Sequence, residues 1–300
     1  MKFNLVLGNH PPHAINTTRD HTLIIRGGLE EAGHFAQLSM HDVFHNEFNV
    51  YYDFFGATSP AYFRHLRNAG YEYGLITTEI LQDDRLNYQA SDVGSARIRA
   101  TREIAQHARF VWVMHEPSLG NYRTLSGHDR CWFLPLGYSQ RARELELLPY
   151  NCRDIDFLFF GLPTPYRKAL LEKIGSYGFT LRHIYDVPGF IRNSYIQRAK
   201  INLSLRQNES WDQPSVGRIS YLVTNECCVI VERTANGRPY EDYAVAVDPS
   251  TFVETCVEKI LDPALEVVAS EKAAAFKQDF PMAGIIARLL DETFGSHQCA

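Results

Sequence analysis

The sequence has no apolar run approaching the roughly 20 residues that cross a bilayer. Its first residues, Met1 to Gly8, carry neither the long apolar core nor the cleavage site of a secretory signal. A cytoplasmic location is the expectation. A basic excess is missing too, since 30 Lys and Arg stand against 35 Asp and Glu for a formal charge of −5. No global positive field gathers phosphates, so nucleic acid is not favoured as a partner and anion binding has to be local. Cysteines at metal-binding spacing are absent. The six present (Cys131, Cys152, Cys227, Cys228, Cys256 and Cys299) are scattered, with Cys227 and Cys228 adjacent inside an apolar run, and read as reduced core thiols. There is no Walker A sequence and no G-x-G-x-x-G fingerprint, because Gly27-Gly28 falls inside a helical pattern rather than directly after a strand.

What is there is a regular beat. Lys2–Leu7 is a short apolar run ending at Gly8, as a buried parallel strand would be. A loop through His10 and His13 follows, then a helix from Thr17 or Thr18 to Gly33. Strands are expected at Phe48–Phe55, Tyr71–Thr77, Phe110–Met114 and Cys131–Leu136, with helices between, one of them opened by Ser59-Pro60. Residues Gln140–Arg153 are charged, end in Pro149-Tyr150-Asn151 and read as a linker. The beat restarts at Ile155–Gly161. Thr164-Pro165 opens a helix, strands follow at Phe179–Ile184, Ile201–Leu205, Cys227–Val231 and Ala244–Val247, and helices fill Ser215–Val223, Thr251–Phe276 and Met282–Phe294. The expected fold is α/β, with two Rossmann-like lobes facing a cleft. Residues 1–140 form the first lobe, 151–278 the second, and 279–300 a helix returning to the first. In open α/β sheets ligands bind beyond the carboxyl ends of the strands, so the loops there are the candidate site.

Two such halves, Pro135-Leu136-Gly137-Tyr138 at the end of the first, and the tail Asp248-Pro249 … Phe252-Val253 … Ile260-Leu261-Asp262-Pro263 … Ala273-Ala274-Ala275-Phe276 resemble the GT-B glycosyltransferases. The CgeB-like, "glycosyl transferases group 1" kind is the nearest variety, with the specific likeness confined to about Asp154–Phe276. The resemblance implies sugar transfer from a nucleotide-sugar donor held by the second lobe to an acceptor hydroxyl served by the first. It implies no tightly bound cofactor and no metal. Acceptor and oligomeric state are not assigned by it.

On the donor side, Gly161 supplies a turn and Arg167 lies in the first turn of the helix opened by Thr164-Pro165, where a cation opposes the helix dipole unless an anion binds or solvent screens it. Arg206, Asn208 and Glu209 follow strand Ile201–Leu205, and Ser215 opens the helix that carries Arg218. The resemblance places Arg218 at the donor's phosphates. The carboxylate expected soon after it is replaced by Ser220 or Tyr221, so Glu209 or Glu232 would have to reach the ribose. On the acceptor side, a transfer with inversion needs a base. His10 and His13 on the first loop are candidates, with Asp20 to orient them, as are His115 and Glu116 after strand Phe110–Met114, and Glu79 after Tyr71–Thr77. His41 and His45 at i, i+4 lack a third metal ligand, His41-Asp42 lacks the partners of a phosphohydrolase, and Asp83-Asp84 lacks the flanks of an Asp-x-Asp motif. The rival readings are a nucleotide-sugar epimerase or hydrolase on the same architecture, and a non-catalytic two-lobed ligand-binding protein.

Overall fold

The computed structural model describes residues 1–8, 12–56, 58–87 and 92–295, with the backbone alone for 12–14 and 92–93. The chain divides into two compact units. Unit 1 comprises Met1–Ile15, Ile25–Leu136 and the chain from Met282 on; unit 2 comprises Asn16–Ile24 and Gly137–Pro281.

Unit 1 runs β1 (Lys2–Val6), α1 (Pro12–Glu31), β2 (Phe35–Ser39), β3 (Phe48–Tyr52), α2 (Ser59–Asn68), β4 (Tyr73–Thr77), the small hairpin β5 (Leu81–Gln82) and β6 (Arg85–Leu86), α3 (Asp92–Ala105), β7 (Val111–Val113), α4 (Leu119–Ser126) and β8 (Cys131–Phe133). Its main sheet is parallel throughout, in the order β2-β1-β3-β4-β7-β8. Unit 2 runs β9 (Ile155–Phe160), α5 (Pro165–Gly175), β10 (Leu181–Ile184), α6 (Gly189–Gln197), β11 (Ala199–Ser204), α7 (Val216–Thr224), β12 (Val229–Glu232), β13 (Val245–Val247), α8 (Phe252–Ile260) and α9 (Leu265–Asp279). Its sheet is parallel in the order β10-β9-β11-β12-β13. The last helix, α10 (Met282–Phe294), packs in unit 1, where Trp112 Nε1 donates to Thr293 Oγ1 at 3.2 Å.

Both sheets are doubly wound, because helices cover both faces. Period-two alternation sorts the side chains: Phe157, Phe159, Ile201, Leu203 and Ile230 share one core cluster, while Asn202 and Ser204 alternate with them on β11. Each fully buried apolar side chain of this kind contributes about 1.5–3 kcal/mol. In unit 2 the chain passes from β9 to β10 on one side and then crosses back to β11 on the other side of β9, so the switch point of the strand order lies between β9 and β11, where a doubly wound sheet offers its ligand site.

Several expectations are corrected. Helix α1 begins at Pro12, not Thr17, so the backbone at His13 is helical rather than looped. Strand β2 and helix α6 add to the expected elements, and residues 41–47 form turns and irregular chain instead of a helix carrying His41 and His45. The helical stretch Thr251–Phe276 is two helices, broken at Asp262-Pro263, since proline cannot donate to the preceding turn. Residues 140–153 are not a free linker. They belong to unit 2, with short 3-10 turns at Gln140–Ala142 and Tyr150–Cys152 and a buried Arg153 that donates to Leu148 O and pairs with Glu266.

Candidate functional site

The β9/β11 switch point gathers the second unit's predicted residues. After β9, Gly161 adopts φ +153°, a conformation that L side chains rarely take, and a Cβ there would lie 2.8 Å from an Arg218 Nη2. Thr164 then caps α5 through a hydrogen bond from Arg167 N, with Pro165 at the first helical position. Arg167 is buried, not solvated: Nε donates to Arg206 O (2.9 Å), Nη1 to Leu162 O (3.1 Å) and Nη2 to Leu205 O (3.0 Å). It therefore ties the β9 loop to the end of β11 and contributes charge. Burial lowers its pKa to about 10.

Arg206 and Glu232 are brought together as an ion pair. Arg206 donates from Nε to Oε1 (2.9 Å) and from its backbone N to Oε2 (3.0 Å), and Tyr166 Oη also donates to Glu232. Glu232 is 1% exposed, so its carboxylate serves Arg206 and is not presented to a ribose. Glu209 is exposed and contributes its carbonyl to Arg206 Nη1, while Asn208 Oδ1 accepts from Ser210 N and Oγ in an exposed turn.

Arg218 is different. It lies in the first turn of α7, where Ser215 provides no side-chain cap and Val216 N donates to Pro214 O at 3.0 Å. Its Nε and one Nη are buried without a hydrogen-bond partner, and it forms no ion pair among the described residues. The guanidinium carbon stands 5.3 Å over the Phe159 ring and 5.0 Å over Phe160, and Arg167 stands 5.2 Å over the same Phe159 ring. Burial, followed by the charge of Arg167, lowers the Arg218 pKa to about 9. Two cations thus share one aromatic ring with no carboxylate between them.

Sequence reasoning passed over His21. Residues Asn16–Ile24 cluster with unit 2, held by a bidentate pair between Arg192 and Asp20 (2.8 and 2.8 Å) and by Arg19 with Glu144 (2.6 Å). They place the His21 ring against the first turn of α7, where a Cβ on Gly217 would lie 2.4 Å from Nε2. Only a histidine eight residues after His13, on the same helix, signalled it.

In unit 1, His10 lies outside the described residues and His13 is described by its helical backbone alone. His115 is buried just after β7, and Glu116 is exposed in the next turn. The carboxyl ends of β3 and β4 carry a network of which the sequence pointed only to Glu79. Buried Asp53 accepts from Thr78 N (2.8 Å), Thr78 Oγ1 (2.9 Å), Glu79 N (3.2 Å) and Tyr122 Oη (3.1 Å), and Glu79 pairs with Arg97 (2.7 Å). Burial, then the charge of Glu79, raises the Asp53 pKa to about 6. No cluster of three or more His, Cys, Asp or Glu suited to a metal ion occurs among the described residues, and no helix among them is long and apolar enough to cross a membrane.

No family model matches the chain, and no curated protein matches its sequence. Solved structures do. HepE of Anabaena, crystallised in complex with UDP, aligns over 99% of this chain and 100% of its own, with TM-score 0.56 and 10% identity. TarM aligns over 83% of this chain with TM-score 0.53 and 11% identity. A mutant of S. aureus TarM, in complex with fondaparinux, alpha-GlcNAc-glycerol and UDP, aligns over 82% with TM-score 0.52 and 10% identity. The chain spans about half of the length of TarM, 55% of it. The fold is GT-B. A doubly wound sheet offers its ligand site at the switch point of the strand order, and Arg167 and Arg218 stand at that point of unit 2.

Proposed function

We propose that this GT-B chain is a glycosyltransferase that binds a nucleoside-diphosphate sugar at the carboxyl edge of unit 2 and passes the sugar to an acceptor hydroxyl. The observation that carries this reading is Arg218, whose two buried donors have no partner in a unit where Arg19, Arg153, Arg192 and Arg206 all have carboxylates. An uncompensated buried charge costs several kcal/mol, and a diphosphate would supply the missing counter-charge. Arg218 and the amino end of α7 would hold it, with Arg167 adding charge from behind. Gly161 leaves room for the Arg218 guanidinium, and Arg206, Asn208, Glu209, Ser215 and Glu232 shape the surrounding loops. As the bond from the sugar to the diphosphate breaks, negative charge grows on the leaving oxygen, and preorganised cations stabilise that transition state more than the ground state. Guanidinium groups then fill the role a metal plays in other transferases.

The candidates in unit 1 for base or acceptor contact are His115, Glu116, His10 and His13. HepE and the TarM mutant were both crystallised with UDP, which supports a nucleotide donor. The motifs of Asp154–Phe276 support a CgeB-like group, and a nucleotide-sugar donor supports the cytoplasm as the working compartment. The test is a thermal-shift screen against UDP-, GDP-, CMP- and dTDP-sugars, in which a donor at 100 times its Kd adds about 2.7 kcal/mol. Arg218→Ala, with a Kd weaker by about 10- to 100-fold, should cut this to about 0.4–1.4 kcal/mol. A screen with no shift, or epimerised or hydrolysed donor as the only product, overturns the reading.

A further inference from the structure

His21 is unusual among the polar groups around α7. Its Nδ1 is buried without a hydrogen-bond partner, and its ring edge rests on Gly217, one residue from Arg218. The charged groups around it are all accounted for. Asp20, its neighbour on the same segment, is taken by Arg192 of α6 at 2.8 Å through both oxygens. Arg19 is taken by Glu144, which also accepts from Tyr221 of α7. None of these carboxylates is left free to pair with the imidazole, and Gly217, on which the ring rests, is followed by Arg218, whose buried Nε and Nη1 have no hydrogen-bond partner. A buried histidine set among spent carboxylates stays neutral. Burial accordingly lowers its pKa to about 4, against a smaller opposing pull from Asp20.

A bound anion would reverse that balance. A diphosphate on Arg218 and the first turn of α7 would lie on the side of the ring where Nε2 meets Gly217, and a nearby negative charge favours the imidazolium. We propose that His21 takes up one proton from solvent when a nucleoside diphosphate binds at α7, so that imidazolium and Arg218 hold the anion together. This rests on the donor reading above and deepens it. In the transfer, the sugar–oxygen bond breaks with its electron pair left on the diphosphate, the acceptor oxygen bonds to the sugar, and the acceptor's proton departs to base or solvent. The free diphosphate therefore carries one more negative charge than the donor did. His21 protonation matches that added charge, which makes proton uptake larger with the diphosphate product than with the sugar donor.

The experiment is calorimetry of UDP binding to the full chain between pH 5.5 and 8, in two buffers of different ionisation enthalpy, for wild type and His21→Gln. UDP titrates near pH 6 on its own in both proteins, so the difference between them reports His21. Wild type should take up as much as one additional proton. Its affinity advantage over His21→Gln should widen as pH falls, by up to tenfold per pH unit between the bound-state and free-state pKa values. Equal proton uptake in the two proteins, with UDP bound, overturns the proposal and leaves the donor reading intact. No binding of UDP, GDP, CDP, ADP or dTDP by wild type overturns both. Should His21→Gln fail to fold, histidine NMR of wild type decides it: a ring that titrates above pH 5 only with UDP present supports the proposal, and none doing so ends it.

Discussion

The carboxyl edges of the two sheets carry opposite chemistry. In unit 1, the Asp53 carboxylate is surrounded by donors on every side, and Glu79 is closed by Arg97. In unit 2, Arg206 is closed by Glu232 while Arg218 is left open. A satisfied buried charge holds a loop, whereas an unsatisfied one costs stability until something arrives to pair with it. On the proposed reading, the difference separates side chains that build the edge from Arg218, which a ligand would pair. It also explains why proximity to a strand end is a weak criterion by itself.

The largest expected effect breaks the closed side of this contrast. Asp53→Ala strands three N–H or O–H donors from Thr78 and Glu79 and the Tyr122 hydroxyl, and should cost about 3–5 kcal/mol in urea unfolding. A loss under about 1 kcal/mol would mean the network is not structural. The same carboxyl gives a pH signature. Its folded pKa, about 6, lies above the unfolded value of 3.8, so the folded state binds the extra proton. The Asp53 contribution to stability is fully present below pH 3.8 and is lost as pH rises through about 6. Asp53→Asn should flatten that segment of the stability–pH curve, and an unchanged curve would refute the assignment.

The open side predicts the reverse pattern. Arg218→Met removes a buried charge that has no partner, so ligand-free stability should hold or rise by about 1 kcal/mol. Nucleoside-diphosphate affinity should fall by about 10- to 100-fold, the loss of one or two charge-assisted hydrogen bonds. A variant that is strongly destabilised without ligand would make Arg218 a structural residue like Arg206 and erase the contrast.

The alternation of strands with helices was legible because period-two and period-3.6 patterns are local. The same locality concealed other features. Strand β2 holds Phe35 and Leu38 exposed, so Phe35–Ser39 lacks the apolar run of a buried strand. The fate of each arginine was hidden for another reason, since Arg167, Arg206 and Arg218 look alike in sequence. Carbonyls from Leu162, Leu205 and Arg206 satisfy the first, and a glutamate 26 residues away satisfies the second. Which arginine stays free is decided by tertiary pairing. His21 escaped notice because its significance depends on Gly217, almost 200 residues along the chain.

That dependence yields the smallest effect and the sharpest sign. Gly217 lies in the first turn of α7, and Gly→Ala inside a helix ordinarily stabilises by about 1 kcal/mol. Here the added Cβ would lie 2.4 Å from His21 Nε2 and 2.6 Å from Cδ2, closer than van der Waals contact allows. The ring would have to move, so Gly217→Ala should destabilise by about 1–2 kcal/mol instead. In His21→Ala the obstacle is gone, and adding Gly217→Ala to that background should restore the ordinary stabilising sign. Two residues in contact couple by about 0.5–3 kcal/mol in such a cycle. Simple additivity of the two changes would show that the His21 ring does not rest on α7, and the part of the proposed donor site drawn from Asn16–Ile24 would then fall away while Arg218 stayed.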